Sequence, residues 1–281
     1  MSANTVTAPT QGPAAESRTP HHASVKELPR ISGPRPTRPV SLATLSRVEW
    51  RKQVDTRAGL WFMLSIGLVV AAVMVIMFFV QQGNHSYGDY IAGTAMPLSI
   101  LVPIVGILAA TSEWSQRTGL TTFALEPRRG KVVAAKTVAS VVTALLSMVV
   151  ALGLGAAVHG LAVAVRGADA DWSLTWSFVG GMLLMLVLSL LQGLGFGLSL
   201  LNTPGAIVAY LVLPTVWSIL GGMVSWLQDA AKWLDISATM GPLLEGQMTG
   251  EQWAQLGTST LVWVVLPLAF GTWRVLRAEV K

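Results

Sequence analysis

The chain of 281 residues contains no cysteine. This absence excludes disulfide bridges, thiolate metal sites, c-type haem attachment and a cysteine nucleophile. Charged residues are also scarce, at 12% of the sequence, against about 25% in an average soluble domain. Apolar residues reach 52% and are concentrated in long blocks. The composition therefore predicts an integral membrane protein rather than a soluble domain.

Phosphate-binding motifs are missing as well. The sequence has no GxxxxGK[ST] loop, so the chain is not expected to bind nucleotide in that mode. Gly193, Gly195 and Gly197 resemble a dinucleotide-binding loop only in spacing, because they lie inside an apolar run that no strand precedes. Gly193 and Gly197 fall on one face of a helix, and this spacing favours the close approach of another helix.

The residues that usually carry catalysis or metal binding are dispersed. The histidines lack the spacing of metal ligands, and no Ser, His and Asp grouping with a nucleophile elbow is present. We therefore expect no metal, no cofactor and no enzymatic activity in this chain. The histidines are His21, His22, His85 and His159.

Acidic residues are absent from the middle of every apolar run. Carriers coupled to protons or sodium generally need such groups near the bilayer midplane, so an ion-coupled carrier is disfavoured. Gln192 is the prominent polar residue of the fourth run, and it either lines a substrate path or hydrogen-bonds a neighbouring helix. Prolines within the runs predict kinks. They are Pro97, Pro103, Pro214 and Pro267.

The apolar runs predict an all-α protein with six membrane spans, because a span needs about 20 mainly apolar residues. The fifth and sixth runs are joined by about thirty residues, in which Trp226, Ala230 and Trp233 recur at helical spacing and predict a short interfacial helix. The predicted spans are 59–80, 91–111, 132–158, 174–201, 204–223 and 256–273.

The distribution of basic residues predicts the orientation. Of the 19 Lys and Arg, nine precede the first span, five lie in residues 112–136 and three follow the sixth span. Only Arg166 and Lys232 fall on the other side, so the positive-inside rule places both termini in the cytoplasm. This bias also accounts for the net charge of +5 without nucleic acid as a partner.

The first 58 residues divide into two predicted parts. Residues 1–40 contain seven prolines and few large apolar side chains, which is typical of a disordered cytoplasmic tail that is either plainly solvated or binds a partner. Residues 41–58 interleave apolar and basic side chains, which predicts an amphipathic helix on the cytoplasmic interface, with a solvated helix as the alternative. No cleavable signal peptide is expected, since the first apolar run begins near residue 59.

The polar segment between the second and third spans carries the most specific pattern. Residues 113–119 read E-x3-R-T-G, residues 125–129 read L-x-P-R-R, and Lys136 follows one turn into the third span. With a preceding amphipathic helix, six spans and a basic C-terminal stretch, this pattern resembles the ABC-2-type permeases, the membrane subunits of ATP-binding-cassette exporters. The likeness covers about residues 41–281, and the Pro-rich tail departs from it.

The resemblance implies a transport function for a protein that performs no chemistry itself. A coupling helix in the 113–136 segment would dock in a groove of a separate ATPase subunit, which binds ATP and Mg²⁺. The chain would work in the plasma membrane as a dimer with a second copy or a paralogue, and export cargo along a path between the second and fifth spans. The implied coupling residues are Glu113, Arg117, Thr118, Gly119, Pro127, Arg128 and Lys136, and the implied elbow-helix residues are Glu49, Arg51 and Arg57.

Two alternatives remain open on the sequence. The 113–136 segment is also compatible with a basic connector that merely obeys topology. The whole chain is compatible with a non-transport scaffold or sensor that binds a cytoplasmic partner. Apolar spans favour a hydrophobic or amphipathic cargo, but the sequence does not identify one.

Overall fold

The computed structural model describes residues 40–80 and 85–278. Within these residues the chain is helical and contains no strand. The predicted disordered tail lies outside the described residues except for Val40. The helices are α1 (Leu42–Asp55), α2 (Arg57–Val80), α3 (Tyr87–Gly93), α4 (Ala95–Ser115), α5 (Gly119–Leu125), α6 (Arg129–Arg166), α7 (Trp176–Leu200), α8 (Thr203–Met223), α9 (Gln228–Leu234), α10 (Ile236–Met240), α11 (Gly250–Thr260) and α12 (Leu266–Arg277).

Six helical segments are long and apolar enough to cross a membrane, which confirms the predicted number. Five of them are α2, α4, α6, α7 and α8, and the sixth runs continuously through α11 and α12 as Gly250–Arg277. Helices are the expected solution, because only they satisfy every backbone group of a single span within lipid. The structure therefore supports an all-helical membrane protein.

The second span begins later than its predicted limits of 91–111. A separate short helix, α3, starts at a capping box in which Ser86 and Asp89 exchange hydrogen bonds, and it ends at Thr94. Helix α4 then runs from Ala95 to Ser115. The break between the two helices lies at Thr94, whose backbone N–H and hydroxyl both donate to the Ile91 carbonyl oxygen, and it divides what reads as one apolar run.

The third span is longer than predicted. Helix α6 has 38 residues, which corresponds to about 57 Å at 1.5 Å per residue. The hydrocarbon core of a bilayer is about 30 Å thick, so α6 extends well beyond one membrane crossing. Its first turns, which contain Lys131 and Lys136, belong to the 113–136 segment.

Helix α7 forms the centre of the bundle, with about two thirds of its apolar window buried. It contacts α4 most extensively, because glycines let the two backbones approach each other. A Cβ added to Gly193 would lie 2.2 Å from the Pro103 carbonyl oxygen, and one added to Gly106 would lie 2.6 Å from that of Leu190. On another side, α7 packs against α12 at Gly271.

Proline affects the sixth span at a defined point. Residues Leu261–Val265 form a π-helical turn, and the Leu266 N–H donates to the Leu261 carbonyl five residues earlier. Pro267 follows directly and has no N–H to donate, so the wider turn lies where the regular α-helical pattern is interrupted. Pro103 and Pro214 lie inside α4 and α8.

The connection between the fifth and sixth spans contains α9 and α10 rather than a single helix. The helical pattern predicted around Trp226 and Trp233 begins as a 3₁₀ turn, Ser225–Leu227, and continues as α9. Asp235 ends α9 and caps α10, because its carboxylate accepts from the N–H groups of Ser237 and Ala238.

Candidate functional site

A cluster of four charged side chains joins α1, α4 and α6. Lys136 of α6 is at its centre, and its Nζ donates to Glu49 Oε2 at 2.7 Å and to Glu113 Oε1 at 2.7 Å. The third Lys136 donor meets the Ala109 carbonyl oxygen of α4 at 2.9 Å. All three N–H groups of this buried ammonium are therefore satisfied, which is the condition for keeping a charge out of water.

Lys52 completes the cluster from α1. Its Nζ lies 2.6 Å from Glu49 Oε1 and 3.1 Å from Glu113 Oε1, so each carboxylate is shared by both lysines. Burial opposes the charged amine, but the hydrogen bond to Glu49 and the negative charge of Glu113 outweigh it and raise the pKa of Lys52. The ion cluster consists of Glu49, Lys52, Glu113 and Lys136. Its two positive and two negative charges cancel, so it is neutral overall.

Hydrogen bonds extend this contact along α1 and α6. Gln53 Nε2 donates to Ser140 Oγ at 3.3 Å, and Gln53 Oε1 accepts from Thr143 Oγ1 at 2.6 Å. These positions follow Glu49 and Lys136 at helical spacing, so one polar stripe on each helix faces the other.

The burial pattern of α1 differs from that of an ordinary amphipathic helix. Its buried residues are Ser46, Glu49 and Gln53, whereas Leu42 and Val48 are exposed. The side chains that α1 turns towards the bundle are thus polar. A helix occupies Leu42–Asp55, and its buried Glu49 and Gln53 are held by ion pairs and hydrogen bonds.

The 113–136 segment begins with a sharp turn out of α4. Arg117 adopts a left-handed backbone conformation with φ of 55°, and the Thr118 N–H donates to the Glu113 carbonyl oxygen at 3.0 Å. This is the Schellman arrangement that ends many helices, in which the left-handed residue is usually glycine. The turn directs the chain into α5 and leaves the Arg117 side chain exposed.

Helix α5 presents its own side chains to the outside. Leu120 and Leu125 are 58% and 79% exposed, and the backbone becomes extended at Glu126, directly before Pro127. A residue that precedes proline is disfavoured in the helical region, which accounts for the end of α5 at this point. Pro127 and Arg128 are exposed as well.

The inner side of the segment is anchored by aromatic and basic side chains. The Trp114 and Phe123 rings are 6.4 Å apart, and the Arg129 guanidinium lies 4.9 Å from the centre of the Phe123 ring. Arg129 Nη1 also donates to the Val275 carbonyl oxygen at 3.0 Å and to that of Ala278 at 2.5 Å. The start of α6 is therefore tied to the end of α12.

The residues predicted from the sequence divide into two sets. Glu49, Glu113 and Lys136 meet in the buried cluster, and Gly119 is buried at the start of α5. The others point outwards and do not join the cluster. They are Arg51, Arg57, Arg117, Thr118, Pro127 and Arg128.

Sequence reasoning missed Lys52 and the polar partners around Gln53. Glu49 and Lys52 are three residues apart on one helix, a spacing that favours an ion pair. Ser140 and Thr143 are polar residues at helical spacing from Lys136 within an apolar run. Together these two patterns are a signal that could have paired α1 with α6.

The residues predicted for path or packing lie elsewhere, in α7. Gly193 and Gly197 face α4, where a Cβ on Gly197 would lie 2.7 Å from that of Ala110. Gln192 is buried, and its Nε2 has no hydrogen-bond partner among the described residues.

No group of three or more His, Cys, Asp or Glu that could hold a metal ion occurs in the described part of the chain. Comparison of the chain with protein-family models and with curated proteins finds no match. The arrangement supports an exposed short helix, α5, on spans that are firmly connected to each other.

Proposed function

We propose that this chain is the membrane-spanning permease subunit of an ATP-binding-cassette exporter of the ABC-2 type. In this proposal α5 and the exposed residues beside it dock on a separate ATPase subunit that binds ATP and Mg²⁺. The observation that carries it is an exposed short helix mounted between two membrane helices whose ends are joined by buried ion pairs. The sequence pattern in residues 113–136 supports the same proposal.

The connections around α5 are suited to transmit a displacement. Helix α5 is linked by short turns to α4 on one side and to α6 on the other. The cluster joins both helices to α1, and α4 packs closely against α7. Packed elements with fixed contacts move as units, so a push on α5 would displace the spans rather than only the loop.

Further parts of the proposal follow from the sequence. Both termini lie in the cytoplasm, the protein is in the plasma membrane, and a second copy or a paralogue completes the translocation path. The apolar windows of α2 and α8 are only 17% buried within the chain, so both helices leave apolar surface for lipid or for another subunit. A path between α4 and α8 of the two copies would carry a hydrophobic or amphipathic cargo outwards.

Co-purification with candidate ATPase subunits tests this function. The tagged chain is co-expressed with the ATPase subunits encoded beside its gene, and complex formation and ATP-dependent transport are measured in proteoliposomes. We expect a stable complex in which Arg117→Glu combined with Arg128→Glu lowers transport at least tenfold, while membrane insertion is unchanged. Arg47→Glu is the control, because Arg47 is also exposed but lies on α1.

The same test distinguishes a permease from a scaffold or sensor protein. A chain that forms no complex with any nucleotide-binding subunit and supports no ATP-dependent transport is a scaffold or sensor rather than a permease. Full transport by the double variant would instead contradict docking through α5. Glu113 is a poorer test of docking, because it is buried and its reversal would disturb the ion cluster itself.

A further inference from the structure

A partly enclosed cavity of about 580 Å³ lies between α1, α2, α4 and α5. Its size is in the range of about 300–1,000 Å³ that is usual for ligand sites in proteins. Apolar cavities do not need to be this large to bind a ligand, since one of about 150 Å³ already takes up benzene. The lining is mainly apolar and includes Leu45, Phe62, Met63, Val105, Leu108 and Leu125.

The cavity extends from the charged cluster towards the interior of the bundle. Trp61 is 70% exposed, and exposed tryptophans of membrane helices typically lie at the level of the lipid head groups. Phe62 and Met63, which follow it, line the cavity. Val105 precedes Glu113 by two turns of α4, about 12 Å along the helix axis. The space thus begins at the head-group level and reaches into the hydrocarbon level.

One hydrogen-bond donor at the polar side of this cavity has no partner among residues 40–80 and 85–278. The Lys52 ammonium has three N–H groups, and its two contacts are with Glu49 and Glu113. Its side chain is 36% exposed and lines the cavity, and Thr118 and Thr121 line it as well. The cavity is also lined by the carboxylates of Glu49, Glu113 and Glu126. Each of them is paired with a lysine, Glu126 with Lys131 at 3.6 Å, so a phosphate oxygen that approaches Lys52 meets no unpaired carboxylate.

We propose that this cavity binds a phospholipid, with one acyl chain between α2 and α4 and the phosphate against Lys52. The apolar inner part of the cavity disfavours a small polar ligand, because the desolvation of the ligand's polar groups would not be compensated there. An acyl chain matches the lining, and the head group matches the donors at the polar side. The proposal does not depend on a transport function.

Photolabelling tests the site directly. The chain is reconstituted in nanodiscs with phosphatidylglycerol that carries a diazirine on one acyl chain, irradiated, and mapped by mass spectrometry. We expect adducts on the peptides that contain Phe62 and Met63 and on those that contain Val105 and Leu108. Leu108→Trp fills the cavity and should lower this labelling at least fivefold. Leu64→Trp, at a 54% exposed position of α2 outside the lining, should change it less than twofold.

A second variant and other labelled or competing ligands test the same proposal. If Leu108→Trp does not fold, Met63→Trp fills the same space. Equal labelling of the filled variant and Leu64→Trp would show surface lipid only and would overturn the site. Labelling by a diazirine fatty acid but not by the phospholipid would overturn the assigned ligand. Unlabelled phosphatidylglycerol should compete at least tenfold better than diacylglycerol, and equal competition would overturn the phosphate contact.

Discussion

The 113–136 segment contributes to two regions that differ in burial and charge. The ion cluster contains lysines and glutamates that are paired, and three of its four members are buried. The outer surface of α5 and its flanking turns carries Arg117 and Arg128, both exposed. Lys136, Glu49 and Glu113 thus hold the spans together, while Arg117 and Arg128 face outwards. One polar segment of sequence therefore combines a structural region with a surface for a partner.

This difference can be tested by substitutions that affect stability in one region and not in the other. Removal of one partner of a buried ion pair lowers the stability of the protein strongly, because the remaining charge stays in a poorly solvated site. Removal of an exposed charge changes the stability little, because water already solvates that charge and its partner.

Lys136→Met should have the largest effect on stability. It leaves the carboxylates of Glu49 and Glu113 with Lys52 alone, and we expect the free energy of unfolding to fall by about 3–5 kcal/mol. The measurement is denaturant unfolding of the purified protein in detergent. Lys232→Met is the control, since both members of its pair with Asp229 are exposed, and its loss should change the free energy of unfolding little. Equal decreases in the free energy of unfolding of both variants would contradict the difference between the buried ion cluster and an exposed ion pair.

Thr143→Val should have an intermediate effect. It deprives the buried Gln53 Oε1 of the donor that lies 2.6 Å away, and an unsatisfied buried acceptor costs about 1–3 kcal/mol. Thr137→Val is the matched control, because the Thr137 hydroxyl donates only to the carbonyl of Val133 in its own helix. The same unfolding measurement applies. A loss for Thr137→Val as large as that for Thr143→Val would contradict a specific contact between α1 and α6.

Arg117→Gly should have the smallest effect, and one of the opposite sign. Arg117 occupies a left-handed conformation that glycine adopts without strain, so the free energy of unfolding should rise by about 0.5–1 kcal/mol. Arg117→Ala also removes the charge but keeps the strain, and it should change stability by less than about 0.5 kcal/mol. If the two variants are equally stable, the turn after α4 is not strained.

The spans could be predicted from the sequence because each one depends on a local property, the length of an apolar run. The number of spans was correct, and the fifth span, predicted at 204–223, is observed at Thr203–Met223. The start of the second span was missed, since the helix is interrupted at Thr94 within an apolar run that looks continuous.

The inner face of α1 could not be predicted in the same way. Polar residues such as Glu49 and Gln53 are usually exposed, and apolar ones such as Val48 are usually buried. The structure reverses this pattern because α6 offers matching polar partners to α1. A pattern within one helix cannot reveal that its partner is also polar.

The sequence by itself determined the helical class, the six apolar spans and the concentration of charge between the second and third of them. These features follow from composition and from the need to satisfy backbone hydrogen bonds in an apolar medium. Only the tertiary structure decided that Lys136 meets Glu49, 87 residues away, and Glu113, 23 residues away. Ion pairs between residues so far apart in the sequence depend on the positions of three helices at once, and that information is not local to any segment of the chain.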